Sequence, residues 1–158
     1  MSTELTLAVP YEWVRAREVR ERVGQLLAEV SDEVLARAQI VATELMENAL
    51  KYGTHVSAQP NVVFHLCLDD DRLRIEVTQG VRSADSLTAL QVCLASVAAD
   101  TPPEELYLAR LEAIASGSIG GGLGLYRVAH EGGFRLEHRL ERNVLTVIAE
   151  RRLEQVPS

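Results

Sequence analysis

Between residues 62 and 77 the chain alternates apolar and polar side chains twice, and that pattern narrows what it can fold into. Val62, Phe64, Leu66 and Leu68 alternate up to Asp69-Asp70-Asp71, and Leu73, Ile75 and Val77 alternate on the way back. Period-two alternation gives each strand one apolar face, so the segment reads as a β-hairpin with an acidic turn and one face to be covered. Upstream residues supply the cover. Val14, Val19, Val23, Leu26, Leu27 and Val30 recur at helical spacing, with Arg15, Arg17, Glu18, Arg20 and Glu21 on the opposite face. This predicts an amphipathic helix from about residue 11 to residue 29. Ser31 and Asp32 are N-cap types, after which Leu35, Ala38, Ala42, Leu45 and Ala49 repeat at three or four until Gly53, a natural C′ residue. A second helix is expected from about residue 33 to residue 52.

Leu5, Leu7 and Val9 alternate before Pro10, which predicts a short first strand. Two further helices are expected over residues 86–99 and 102–115, the second opened by Thr101 and two prolines. Residues 116–124 contain five glycines in nine positions, and a helical pattern resumes over 125–130. A second hairpin is expected from residues 134–140 and 144–150 around Glu141-Arg142-Asn143. The order β-α-α-β-β-α-α-loop-α-β-β predicts an α+β fold. It is a two-layer sandwich, with helices on one face of a mostly antiparallel sheet, in a single domain over residues 1–158.

A formal net charge of −7 argues against a nucleic-acid partner, whose phosphates it would repel. No apolar run is long enough for a membrane span, and the first ten residues lack the basic start and apolar stretch of a signal peptide. A cytoplasmic location with no membrane association is expected. Cys67 and Cys93 sit in apolar stretches and read as reduced packing thiols. His55, His65, His130 and His138 form no pair at ligand spacing, and the three aspartates lack the alternate spacing of a calcium loop. No Gly-x-Ser-x-Gly elbow is present, and Trp13 and the four tyrosines are too scattered for a base-stacking platform.

Glu44, Asn48 and Lys51 stand at i, i+4 and i+7 on the second helix and form one polar stripe. Spacing alone favours a solvated helix face, and Asn48 is read as an exposed position. Their chemistry nevertheless suits a nucleotide site. An amide oxygen can ligate Mg²⁺, an ammonium can neutralise phosphate, and a carboxylate can take a proton from an attacking hydroxyl. Gly120, Gly121, Gly122, Leu123, Gly124 and Leu125 open a helix, where backbone N–H groups and the helix dipole favour an anion. A flexible surface loop has the same composition.

The two segments together, Glu44 to Gly53 and Gly120 to Leu125, resemble the N box and the later glycine box of the GHKL (Bergerat-fold, histidine-kinase-like) ATPase superfamily. The resemblance implies the Bergerat ATP-binding fold with ATP and Mg²⁺ as cofactors. It assigns Glu44 as base or water-positioner, Asn48 as Mg²⁺ ligand and Lys51 as phosphate contact. Tyr52 and the glycine box, with Gly120, Gly122 and Gly124 around the phosphates, complete the nucleotide-binding set. Where the family has an adenine-binding Asp after the hairpin's second strand, this chain has Gln79, an amide that accepts a hydrogen bond without the charge.

Within the superfamily the chain is similar to anti-sigma-factor serine kinases and to SiaB-like proteins. That resemblance implies a bacterial regulatory serine/threonine kinase acting on an STAS-domain protein or sigma-factor-like regulator; a homodimer is compatible with it. The alternative is a degenerate GHKL domain that has lost ATP binding and serves as a protein-binding module.

Overall fold

The computed structural model describes residues 3–12, 14–81, 128 and 133–153, with Tyr52 described by its backbone alone. The elements are β1 (Thr3–Val9), α1 (Arg15–Leu26), α2 (Asp32–Tyr52), β2 (Val62–Leu68), β3 (Arg72–Gly80), β4 (Arg135–Glu141) and β5 (Val144–Arg152). The expected helices over 86–99, 102–115 and 125–130 and the glycine loop lie outside the described residues, apart from Val128.

The strands form a sheet in the order β1-β2-β3-β5-β4, antiparallel at every pairing. Register explains the core. Leu5, Leu66, Ile75 and Ala149 stand side by side across β1, β2, β3 and β5, and Leu7, Phe64, Val77 and Val147 form the next row. The inner face therefore carries the apolar residues of each strand's alternation, and α2 packs over β2 and β3. From α2 come Ala38, Val41, Ala42, Leu45, Met46 and Ala49, all buried, and α1 adds Ala16, Val19 and Val23. Burial of such side chains contributes about 25 cal/mol per Å² of apolar surface, which holds the two layers together. The chain is the α+β arrangement expected, with α1 and α2 covering one face of an antiparallel sheet.

Several details differ from the expectations. The first helix starts at Arg15 and not near Tyr11, because a turn intervenes after Pro10, closed by Glu12 N–H to Pro10 O at 2.8 Å and Arg15 N–H to Glu12 O at 2.9 Å. It ends at Leu26, where Leu27 N–H still reaches Val23 O but Val30 N–H turns back to Leu27 O at 3.0 Å. Gly53 follows α2 in an extended conformation (φ −82°, ψ 161°) and not in the left-handed one that favours glycine as a C′ residue. Cys67 is only half-buried. It belongs to the sheet face away from the helices, level with Glu4 and Arg74, and burial together with the nearby Asp69 and Glu4 carboxylates pushes its thiol pKa up. The position is thus outside the core.

Candidate functional site

Ser31 caps α2 by accepting the Val34 N–H on its hydroxyl at 3.2 Å. The cap fixes where the helix begins, and the buried row from Ala38 to Ala49 fixes which side meets the sheet. Glu44, Asn48 and Lys51 are thereby set along one side of the second half of α2. Lys51 is exposed, whereas Glu44 and Asn48 are half-buried. Glu44 and Lys51 both interact with other groups of the chain. Asn48 differs: its side-chain nitrogen is buried and has no hydrogen-bond partner. The exposed position expected for Asn48 is therefore corrected, because Asn48 borders the buried Leu45 and Ala49 on α2.

Beyond Tyr52, the last residue of α2, the chain docks on the end of β3. Thr54 N–H donates to Gly80 O at 2.8 Å, and Gly80 N–H donates to the Tyr11 hydroxyl at 2.8 Å. The same hydroxyl donates to Gln59 O at 3.2 Å. Tyr11 thus ties the turn before α1, the loop after α2 and the end of β3 into one knot. Its burial raises the phenol pKa, partly offset by the Gly80 N–H.

Glycine is required at both contacting positions. A Cβ on Gly53 would collide with Ala49 O and come within 3.2 Å of both Gln79 Cβ and Tyr11 Cε1. A Cβ on Gly80 would collide with Thr54 O and lie 2.6 Å from Val56 Cγ2.

Gln79, one residue before this knot, alternates onto the helix-facing side of β3 and is 1% exposed. Its side-chain nitrogen also has no partner. Asn48 lies five residues before Gly53, about 7 Å along the helix axis, so both amides belong to the same end of the α2–β3 layer. A buried donor without an acceptor costs about 1–3 kcal/mol, and nearly all buried polar groups are satisfied. Among the described residues the unsatisfied side-chain atoms are Thr43 Oγ1, Asn48 Nδ2 and Gln79 Nε2. Two of the three are amides that the family resemblance assigned to a nucleotide site.

That donor set suits a nucleotide carrying Mg²⁺. An amide offers a carbonyl oxygen to a cation and N–H groups to phosphate or base acceptors. Tyr11, Thr43 and Thr54 were missed from the sequence, and no local signal marks them, since Tyr11 and Gly80 are 69 positions apart. Gly120, Gly121, Gly122, Leu123, Gly124 and Leu125 lie outside the described residues.

Two adjoining grooves run past the same end of β3. One, of about 590 Å³, is lined by His55 to Ala58 with Val81, Arg142 and Asn143; the other, of about 430 Å³, includes Gln59, Arg139 and Thr146. Val81 N–H to Asn143 O at 2.8 Å ties the β4–β5 turn to this corner. A separate cavity of about 140 Å³ sits at the opposite end of α2, beside Ser31, Arg37, Phe134 and Arg151. No described helix is long and apolar enough to cross a membrane.

No protein-family model matches the sequence, and no curated protein matches it either. Solved structures do. The structure of the RsbU and RsbW domains of Rv1364c from Mycobacterium tuberculosis matches with a TM-score of 0.57 at 16% identity, over 98% of this chain and 33% of that one. The structure of the SiaB-SiaC complex from Pseudomonas aeruginosa matches with a TM-score of 0.67 at 12% identity, over 94% of this chain and 89% of that one. This chain thus spans a third of the first and most of the second. Its helix layer over an antiparallel sheet is the fold that these two structures share with it.

Proposed function

We propose that this chain is a nucleotide-binding regulatory protein of the anti-sigma-factor type, acting as a serine/threonine kinase on a small STAS-domain partner in a bacterial switch. The observation that carries the reading is the pair of buried amide nitrogens without a partner, Asn48 Nδ2 and Gln79 Nε2, at one end of the α2–β3 layer. In this reading Asn48 holds Mg²⁺ through its carbonyl oxygen, and Lys51 neutralises phosphate. Glu44 accepts the proton of the partner's hydroxyl. Gln79 meets the base. ATP would supply the phosphoryl group; the chain's own residues orient it and receive the proton. The fold likeness to a structure with an RsbW domain and to one of a SiaB-SiaC complex supports a regulatory role with a protein partner.

A second reading keeps the fold as a protein-binding module without nucleotide, favoured by the neutral Gln79 where a carboxylate would hold adenine more strongly. Calorimetric titration with Mg-ATP decides between them. Heat of binding is expected for the wild type and its loss for Asn48→Ala, whose folding is checked by circular dichroism. Equal affinity in the two proteins removes Asn48 from the site, and no heat in either leaves the binding module.

A further inference from the structure

We infer that the cavity beside the N-terminal end of α2 binds a small organic carboxylate whose apolar body is no larger than a benzene ring. Ser31 and Asn48 are 17 positions apart on α2, about 25 Å along its axis, so this site is independent of the nucleotide reading. The cavity holds about 140 Å³, and its floor is apolar, made by Val34, Leu73, Phe134 and Leu153. Leu73 and Phe134 are 1% and 4% exposed, so the floor is part of the core. An apolar void of about 150 Å³ in another protein takes up benzene, which sets the size of the ligand.

Two arginines stand over that floor. Arg151 follows Leu145, Val147 and Ala149 on the helix-facing side of β5, opposite Leu73, and is the first charge in that row. Arg37 meets it from α2. A Cβ on Gly133 would lie 2.6 Å from Arg151 Nη1 and 3.5 Å from Arg37 Nη1, so the two guanidiniums converge on one point. Gly133 has a φ of 69°, and glycine there suits both the backbone and the arginine head that crosses it. Glu33 holds Arg37 through its other terminal nitrogen, Nη2, at 3.0 Å. A guanidinium carries five N–H donors, so one partner within the chain does not exhaust it. The rigid donor forks match a planar carboxylate, and the floor beneath them matches an apolar body attached to it. Glu33, on the same lining, disfavours a second negative charge and so selects a carboxylate over a phosphate.

The test titrates the full chain with phenylacetate, followed through the methyl signals of Val34, Leu73 and Leu153 by NMR, with 2-phenylethanol as the neutral counterpart. Phenylacetate is expected to shift these methyls saturably, with a dissociation constant of about 1 mM or tighter, as suits a ligand of this size. The alcohol is expected to bind about ten-fold more weakly, since it lacks the charge-assisted bonds. Arg151→Met keeps an apolar stem without the charge and is expected to weaken phenylacetate about ten-fold while leaving the alcohol unchanged. Phenyl phosphate is expected to bind more weakly than phenylacetate, and so is N-acetylphenylalanine, which sets the same two groups on the larger frame of a peptide end. Equal or tighter binding of either overturns the choice of a small carboxylate. Equal binding of phenylacetate and the alcohol to the wild type overturns the role of the arginines. No saturable shift of these methyls at about 10 mM phenylacetate overturns the site itself. The wild-type comparisons stand even if the variant does not fold.

Discussion

Tyr11 carries more of the proposed site's geometry than its place beside Pro10 suggests. Its hydroxyl accepts from Gly80 N–H and donates to Gln59 O, closing the corner next to Gln79. Tyr11→Phe leaves the buried Gly80 donor without an acceptor and is expected to lower stability by about 1–3 kcal/mol in denaturant titration. An unchanged midpoint contradicts the knot. The pH dependence follows from the same residue. Burial raises the phenol pKa in the folded state, so above about pH 10 the unfolded chain loses this proton first. The unfolded state then binds fewer protons than the native one, and stability falls as pH rises. Below that range the contribution is fully present. The alkaline loss of stability should therefore be shallower in Tyr11→Phe than in the wild type, measured as the unfolding midpoint between neutral pH and about pH 11. None of this was legible in the sequence, where Tyr11 counted as the start of a helix. A contact 69 positions long leaves no periodic trace.

At the scale of elements, the parts built on local rules were readable. Ser31 as cap, the buried row of α2 and the alternation of β2 and β3 each follow from side-chain spacing, and all three occur where expected. Strand order was not readable from hairpins alone. β5 lies between β3 and β4, and its run from Leu145 to Ala149 is buried at every position, whereas only Leu136 is buried in β4. The unbroken burial of β5 against the charged face of β4 is the signal that could have ordered them. Gly53 shows a different limit: glycine is there because α2 and β3 approach closely, not because the backbone turns left-handed. Gly80 marks the same junction. Gly80→Ala would drive a methyl against Thr54 O and Val56 and is expected to cost about 1–3 kcal/mol and to weaken Mg-ATP binding together with stability. A neutral substitution, read by thermal unfolding, contradicts the tight junction.

For the whole molecule, identities of 12% and 16% accompany TM-scores of 0.67 and 0.57, so the arrangement of layers persists where the sequence has diverged. Alternation and helical periodicity survive such divergence because any apolar residue of suitable size keeps a layer in place. A site does not survive in that way, since it depends on particular groups. In the proposed site the amide pair is such a set, with Asn48 and Gln79 brought to one end of the layer from positions 31 residues apart in sequence (79 minus 48). The most direct measurement follows the side-chain amide signals of Asn48 and Gln79 in a proton–nitrogen correlation spectrum, each assigned by its disappearance in Asn48→Ala and Gln79→Met. On titration with Mg-ATP both signals are expected to shift together and saturate at one dissociation constant. If both stay in place at saturating Mg-ATP while the spectrum otherwise remains that of the folded protein, this end of the α2–β3 layer is not the nucleotide site.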